Sequence, residues 1–257
     1  MNRLLSILFV LALVALVACG GSDEGAGTSD DAERPTYRVG IDITFPPFEF
    51  EEDGEYKGID IDVIRAIGEE EGFDVEIQPM EFKTIIPSLL SGQLDIGMGG
   101  MSITEERKEK VDFSEPYYDS HLTMVVAEDN DDITSPDDLE GKTVTGKKGT
   151  TGGLYAEEIA EKMNAELRLF DSSPDMFQEV ANGNSDVFFE DEPVIAYGIK
   201  QNPDYGLKIV GEPLNDTKAG IAVKKGNSEL LEKINSGLQK IKDNGTYDEI
   251  IETYVGN

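Results

Sequence analysis

The chain of 257 residues has one cysteine, Cys19, and one histidine, His121. A single thiol excludes an internal disulfide, a CxxC redox pair and a thiolate metal cluster. With one imidazole and no nucleophile–base pattern beside it, no catalytic centre, metal site or cofactor is expected. Basic charge is scarce: 22 Lys and Arg stand against 53 Asp and Glu, a formal net charge of -31. Such a chain does not follow a phosphate backbone, so nucleic acid is excluded as a partner. The acidity bears on solubility and leaves the fold to be argued separately. A membrane-spanning run is missing too. The apolar stretch Leu4–Ala18 falls short of the ~20 residues a spanning helix needs.

That stretch follows Arg3 and ends in small residues, which makes residues 1–18 a signal peptide by pattern. Leu16-Val17-Ala18-Cys19 resembles the lipobox of bacterial lipoproteins, so Cys19 is expected to carry acyl chains and hold the protein to a membrane. Residues 19–33 are Gly, Ser, Thr, Asp and Glu with almost no apolar side chain, the composition of a flexible tether. From Arg34 onward the chain suffices for two lobes of ~110 residues each.

Beyond the tether, short β-rich runs alternate with amphipathic helical stretches, the pattern of α/β units with largely parallel sheets. Strands are expected near 37–43, 75–79, 94–98, 122–128, 143–146, 167–170, 185–189, 208–210 and 219–224. Helices are expected near 61–71, 84–90, 155–163, 175–181, 194–200, 230–242 and 247–254. In an open α/β sheet ligands gather beyond the carboxyl ends of strands. Four polar sites fall there: Asp42 in VGIDI, Gly99–Ser102 after LDIGM, KKGTTGG at 147–153 after KTVTG, and Glu190-Asp191 after SDVFF.

Thr104-Glu105-Glu106-Arg107 reads as a helix start capped by Thr104. A cation in the first turn opposes the helix dipole, so Arg107 is locally disfavoured. It either pairs with a neighbouring glutamate on the surface or serves a ligand. Beside Gly100 and Ser102, its planar fork could hold a carboxylate while backbone N–H groups complete the clamp. Asp191 closes an apolar strand and could neutralise an ammonium group, cap the helix that begins near Pro193, or do both. KKGTTGG lacks the spacing of a Walker phosphate loop, and its glycines would instead let the backbone approach a ligand. Phe45 and Phe82 suit the apolar walls of a pocket or ordinary core packing.

VGIDITFPPFEF, GIDIDV, GMGGMSITEERKEKVDFSEPYY, KKGTTG and NGTYDEIIETYV, in this order and spacing, resemble the family 3 extracellular solute-binding proteins over nearly all of Tyr37–Gly256. PMEFKTIIPSLLSGQLDI is most similar to the glutamine-binding branch. The resemblance implies a two-lobed periplasmic-binding-protein-like fold of type II, with a ligand cleft between lobes joined by two hinge strands. It implies a discontinuous first lobe, 34–117 with 220–257, a second lobe, 122–214, and hinges at 118–121 and 215–219. It also implies a monomer that hands a polar amino acid to an ABC permease at the extracytoplasmic face of the cell membrane.

By matching motif position, Arg107 would hold the α-carboxylate with Gly100, Ser102 and Thr150, and Asp191 the α-ammonium. Phe45 and Phe82 would pack on the side chain, while Asp42 and Lys147 would read an amide. Two positions depart from the glutamine binders: Glu190 stands where they carry histidine, and Thr151 where they carry glycine. Asp42 and Lys147 balance and suit glutamine, whereas adding Glu190 leaves one negative charge and suits arginine or lysine. A dehydratase-like enzyme with Glu190 as general acid, and a sensor domain that signals by closure, are the readings from other classes.

Overall fold

The computed structural model describes residues 34–256. The segments expected as a signal peptide, 1–18, and a tether, 19–33, and the lipidation candidate Cys19 lie outside the described residues. The first half of the chain runs β1 (Thr36–Ile41), β2 (Thr44–Phe45), β3 (Glu49–Glu52), β4 (Glu55–Lys57), α1 (Ile59–Glu71), β5 (Asp74–Pro79), α2 (Phe82–Ser91), β6 (Ile96–Gly97), α3 (Glu105–Lys110) and β7 (Val111–Phe113). The second half runs β8 (Tyr118–Ala127), β9 (Thr143–Lys147), α4 (Thr151–Met163), β10 (Glu166–Phe170), α5 (Ser173–Ala181), β11 (Val187–Asp191), α6 (Glu192–Gln201), β12 (Leu207–Ala219), β13 (Ala222–Lys224), α7 (Ser228–Asp243) and α8 (Thr246–Val255).

Two five-stranded sheets organise these elements into two α/β lobes. The first has the order β5-β1-β6-β13-β7 and the second β10-β9-β11-β8-β12. In the first, β1 runs parallel to β5 and β6, and the returning β13 is antiparallel to its neighbours. In the second, β9 runs parallel to β10 and β11, and β8 is antiparallel to β11 and β12. The chain leaves the first lobe through β8 and returns through β12. These two strands pair from Tyr118↔Ala219 to Leu122↔Asn215, shift register over 211–214, and pair again to Leu207↔Ala127. Both crossings are therefore one antiparallel ribbon.

Packing follows from the helical periodicity. Ile61, Ile64 and Ile67 of α1 lose all exposure in a core shared with Ile234 of α7 and Val39 and Ile41 of β1. Each apolar side chain withdrawn from water in this way contributes ~1.5–3 kcal/mol. On the opposite side of the sheet, Ile85 and Leu89 of α2 pack with Leu94, Met101 and Val111. The second lobe centres on Leu122, Val144, Val187 and Phe189.

Most expected elements form within a few residues of their expected bounds. The β2-β3-β4 sheet and β7 are the additions. The strands of that sheet hide behind Pro46-Pro47 and a run of exposed acids, although Asp53-Gly54, with φ of 55° and 80°, is a strong hairpin-turn signal. The run near 208–210 grows into the 13-residue β12, because pairing with β8 carries polar residues that alternation alone does not mark. A 3-10 turn, Pro136–Asp138, follows Ser135 in the loop between β8 and β9.

Candidate functional site

The carboxyl ends of β1, β6, β9 and β11 meet where the lobes face each other, which brings the four polar sites together. Phe45, Phe82, Gly99, Gly100, Ser102 and Arg107 from the first lobe line one small cavity with Thr150, Thr151 and Asp191 from the second. Its volume is about 10 Å³, room for one water at most, so the lobes stand closed on it.

Arg107 reaches the cavity through its cap. The Thr104 hydroxyl accepts the Arg107 backbone N–H at 3.2 Å, and the guanidinium turns inward until the residue is 6% exposed. It donates to the Ser102 carbonyl at 2.6 Å and, across the lobes, to the Gly149 carbonyl at 3.0 Å. Its carbon lies 5.3 Å from the centre of the Phe82 ring. Burial lowers the guanidinium to about 10, opposed by the charges of Asp191 and Glu106, so it stays cationic at neutral pH. Asp191 ends β11 and accepts the Thr217 hydroxyl of β12 at 3.3 Å. Burial raises its carboxyl to about 6, against the Thr217 bond and the charges of Arg107 and His121. The helix-cap role considered for Asp191 is not realised, since its side chain makes no cap bond to α6.

The N-terminus of α4 closes the cavity from the second lobe. The Thr150 hydroxyl donates to the Lys147 carbonyl at 2.8 Å and accepts the Gly153 N–H at 3.0 Å. The Thr151 and Ser102 hydroxyls meet across the lobes at 3.2 Å. The glycines of KKGTTGG have a different use from the expected approach to a ligand. A Cβ on Gly153 would stand 1.9 Å from the Lys147 carbonyl oxygen and one on Gly152 2.4 Å from that of Phe189, so these two seat α4 against β9 and β11.

The cavity thus joins one buried cation, one buried anion and two aromatic rings in a single lining. Residues 37–257 match the model of the bacterial extracellular solute-binding proteins, family 3. The chain belongs to that family. A probable histidine-binding protein of Neisseria gonorrhoeae is 31% identical over 257 residues, 99% of this chain and 96% of the relative. The ABC transporter glutamine-binding protein of Bacillus subtilis (strain 168) is 30% identical over 98% of this chain and 96% of its own. An ancestral arginine-binding protein bound to arginine superposes with a TM-score of 0.83 and 46% identity, covering 87% of this chain and 99% of that one. An ancestral arginine-binding protein bound to glutamine gives 0.81 and 45%, with the same coverage.

In this solute-binding protein three expected site residues stand behind the cavity, outside its lining. Asp42 and Lys147 meet each other across the lobes at 2.8 Å, and Lys147 also donates to the Thr44 hydroxyl at 3.1 Å and lies 4.9 Å from the Phe45 ring centre. Asp42 accepts the Thr44 N–H and hydroxyl at 2.9 and 2.6 Å and the Phe82 N–H at 3.3 Å. Glu190 points to the other face of β11, accepting the Ser173 hydroxyl at 2.8 Å and the Asp191 N–H at 3.0 Å. Burial and then Asp191 raise its carboxyl to about 8, against Lys147 and these two bonds. The Gly100 N–H is not free for a carboxylate, because Asp60 accepts it at 2.9 Å together with that of Gly99 at 2.8 Å. Asp60, Glu49, Tyr117 and Thr217 are polar residues of this region that sequence reasoning missed. The signal for Asp60 was an acid between two isoleucines at the start of α1.

Proposed function

We propose that this solute-binding protein captures one polar L-amino acid between its lobes and presents it to the permease of an ABC importer. The observation that carries the reading is the Arg107–Asp191 arrangement: two buried opposite charges on one cavity suit the carboxylate and ammonium of a zwitterion. Ser102, Thr150 and Thr151 supply hydroxyls to the carboxylate side, and Phe45 and Phe82 flank the aliphatic part of the side chain. Opening and closing divides the chain into 34–117 with 220–257 and 122–214, with 118–121 and 215–219 as the bending segments of the β8–β12 ribbon. Contacts between the lobes favour closure, among them Lys147–Asp42, Arg107 on Gly149, Ser102 with Thr151, and Lys83 on Asp171 at 2.7 Å. Residues 1–18 direct export, and acylated Cys19 with the tether 19–33 keeps the receptor beside its permease on the extracytoplasmic face of the cell membrane.

Glutamine is the ligand we favour. The side chains behind the cavity are a matched pair, Asp42 and Lys147, and a neutral carboxylic acid, Glu190, a set of zero net charge that suits an amide as donor and acceptor. Arginine is the second reading. It is favoured by Glu190 itself, which a guanidinium could ionise, and by the 46% identical arginine-binding relative. The family match and the relatives, which are solute-binding proteins, support capture over an enzymatic role for Glu190. Calorimetric titration with the twenty amino acids tests the proposal: submicromolar binding of glutamine is expected, tighter arginine binding selects the second reading, and no binding by any of the twenty rejects both.

A further inference from the structure

GIDIDV, residues 58–63, carries a group that the ligand cavity does not use. Asp60 in its middle is fully buried, and its two oxygens divide their work. Oδ2 accepts the Gly99 and Gly100 N–H groups at 2.8 and 2.9 Å, and Oδ1 accepts the Tyr117 hydroxyl at 2.5 Å. Gly99 and Gly100 line the cavity. Their turn needs φ of 146° and 54°, and a Cβ on Gly100 would stand 2.7 Å from the Phe45 ring. The cavity wall is therefore a turn that only glycine fits, pressed against an aromatic ring and held from behind by one carboxylate. Tyr117 precedes β8, and its carbonyl accepts the Tyr247 hydroxyl of α8, so the same carboxylate ties the wall to the strand crossing and the C-terminal helix.

Glu49 of β3 lies beside Asp60, fully buried, and neither of its carboxyl oxygens accepts a hydrogen bond, so the bond open to it is the one its own proton makes to the Asp60 carboxylate. An ionised carboxylate without a donor is strongly disfavoured in a dry interior. The charged or titratable groups facing the pair are Asp42 at the end of β1, Lys147 of β9, Tyr117 and Tyr247. Lys147 is the one cation among these, and it is already paired with Asp42. Burial, then the charge of Asp60, pushes the Glu49 carboxyl well above the usual carboxylate range. Burial also raises Asp60, but the hydrogen bonds it accepts favour its ionised form.

We propose that Asp60 and Glu49 are a positioning pair for the ligand cavity, in which ionised Asp60 fixes the Gly99–Gly100 wall and Glu49 is kept as a neutral acid behind it. The inference rests on the cleft being the ligand site. Because Asp60 acts through backbone N–H groups and touches no ligand side chain, its loss weakens all ligands alike.

The test uses the purified full chain, glutamine and arginine as probes, and calorimetry well below the melting temperature. Asp60→Asn is expected to weaken every measurable probe at least tenfold and by similar factors. Affinities within threefold of wild type in the folded variant would overturn the positioning role, because a merely structural residue changes melting and leaves the folded site intact. Should Asp60→Asn not fold, Tyr117→Phe removes only one donor to Asp60 and is expected to weaken binding about threefold; unchanged affinity there overturns the proposal equally. Glu49→Ala is expected to weaken binding about tenfold and Glu49→Gln, the isostere of the neutral acid, to restore it. Infrared difference spectra at pH 7 are expected to show a protonated carboxylic acid carbonyl stretch that disappears in Glu49→Gln. No such band would overturn the neutral-acid assignment. Arg107→Ala run alongside separates the failures: retained binding there sinks the cleft reading itself, whereas loss there with retention in Asp60→Asn sinks only the positioning pair.

Discussion

Lys147 and Asp42 meet across the two lobes at 2.8 Å with side chains 1% and 3% exposed. Neither lines the cavity of Arg107 and Asp191, and their charges satisfy each other and the Thr44 hydroxyl. Under the proposed closure a pair this dry forms as the lobes close and is unmade as they part, which couples the side-chain chemistry of the site to that motion.

Removing one partner of such a pair strands the other and costs ~3–5 kcal/mol. Lys147→Met is therefore expected to lower the unfolding free energy in urea by roughly that amount and to weaken glutamine at least tenfold. Arginine is expected to be hurt less or to bind more tightly, since a like charge leaves the site. Equal losses for both amino acids would show that Lys147 serves closure alone.

Arg107→Ala and Asp191→Ala test the zwitterion clamp. Each leaves one charge of a buried ligand without its partner, a loss of ~3–5 kcal/mol in binding. Both are expected to bring calorimetric binding below detection. Retention of affinity within tenfold in either variant removes that residue from the site.

Arg107 and Asp191 were legible in the sequence because each is a local anomaly: a cation where the helix dipole disfavours it, and an acid ending an apolar strand. Their common cavity followed from the rule that strand carboxyl ends gather ligands. The Asp42–Lys147 bond was not legible, since it joins two lobes whose closure no local pattern encodes. Nor was the orientation of Glu190, which depends on a strand face, so that Asp191 meets the cavity and its neighbour meets Ser173. Asp60 was quoted without a role because an acid in the first turn of α1 reads as a dipole partner, and only the long-range contact with Gly99 and Gly100 reveals its use. The β2–β4 sheet escaped because prolines and acids obscure its alternation.

The raised carboxyls give the protein a definite pH response. Asp191 is shifted from 3.8 to about 6 and Glu190 from 4.5 to about 8, so across those windows the folded state holds protons that the unfolded state releases. Their stability contribution is fully present below the unfolded values and is lost as pH rises through the folded ones. Ligand-free protein is expected to lose melting temperature between about pH 4 and 8, with Glu190→Gln flattening the upper part. Binding should run the other way. An ammonium group needs ionised Asp191, so affinity is expected to fall below about pH 6. Calorimetric melting and titration from pH 4 to 8 check both slopes, and a flat melting profile would remove the assigned protonation states.

Cys19→Ser tests the anchor. The lipobox-like run Leu16–Cys19 would place acyl chains on Cys19, and a tether at 19–33 would keep them apart from the ligand site. The variant is expected to leave the membrane fraction and to keep wild-type ligand affinity. Continued sedimentation with membranes would refute lipidation as the attachment.

Glu190 separates the two ligands most sharply. It is fully buried, bonded to Ser173, and neutral at pH 7 because burial and Asp191 raise it to about 8. A glutamine ligand asks nothing of its charge, so Glu190→Gln preserves the Ser173 bond and is expected to change glutamine affinity less than threefold. An arginine ligand is different. Its guanidinium would draw the proton off Glu190 and be held by the resulting carboxylate, so binding arginine at pH 7 should release a proton that calorimetry in buffers of different ionisation enthalpy detects. The substitution would abolish that release and weaken arginine by ~2 kcal/mol, about thirtyfold. Preference for glutamine with no proton release, unaffected by Glu190→Gln, is the result expected here. Proton release on arginine binding that vanishes in the variant, with arginine the tighter ligand, would replace glutamine by arginine and make Glu190 the residue that selects it.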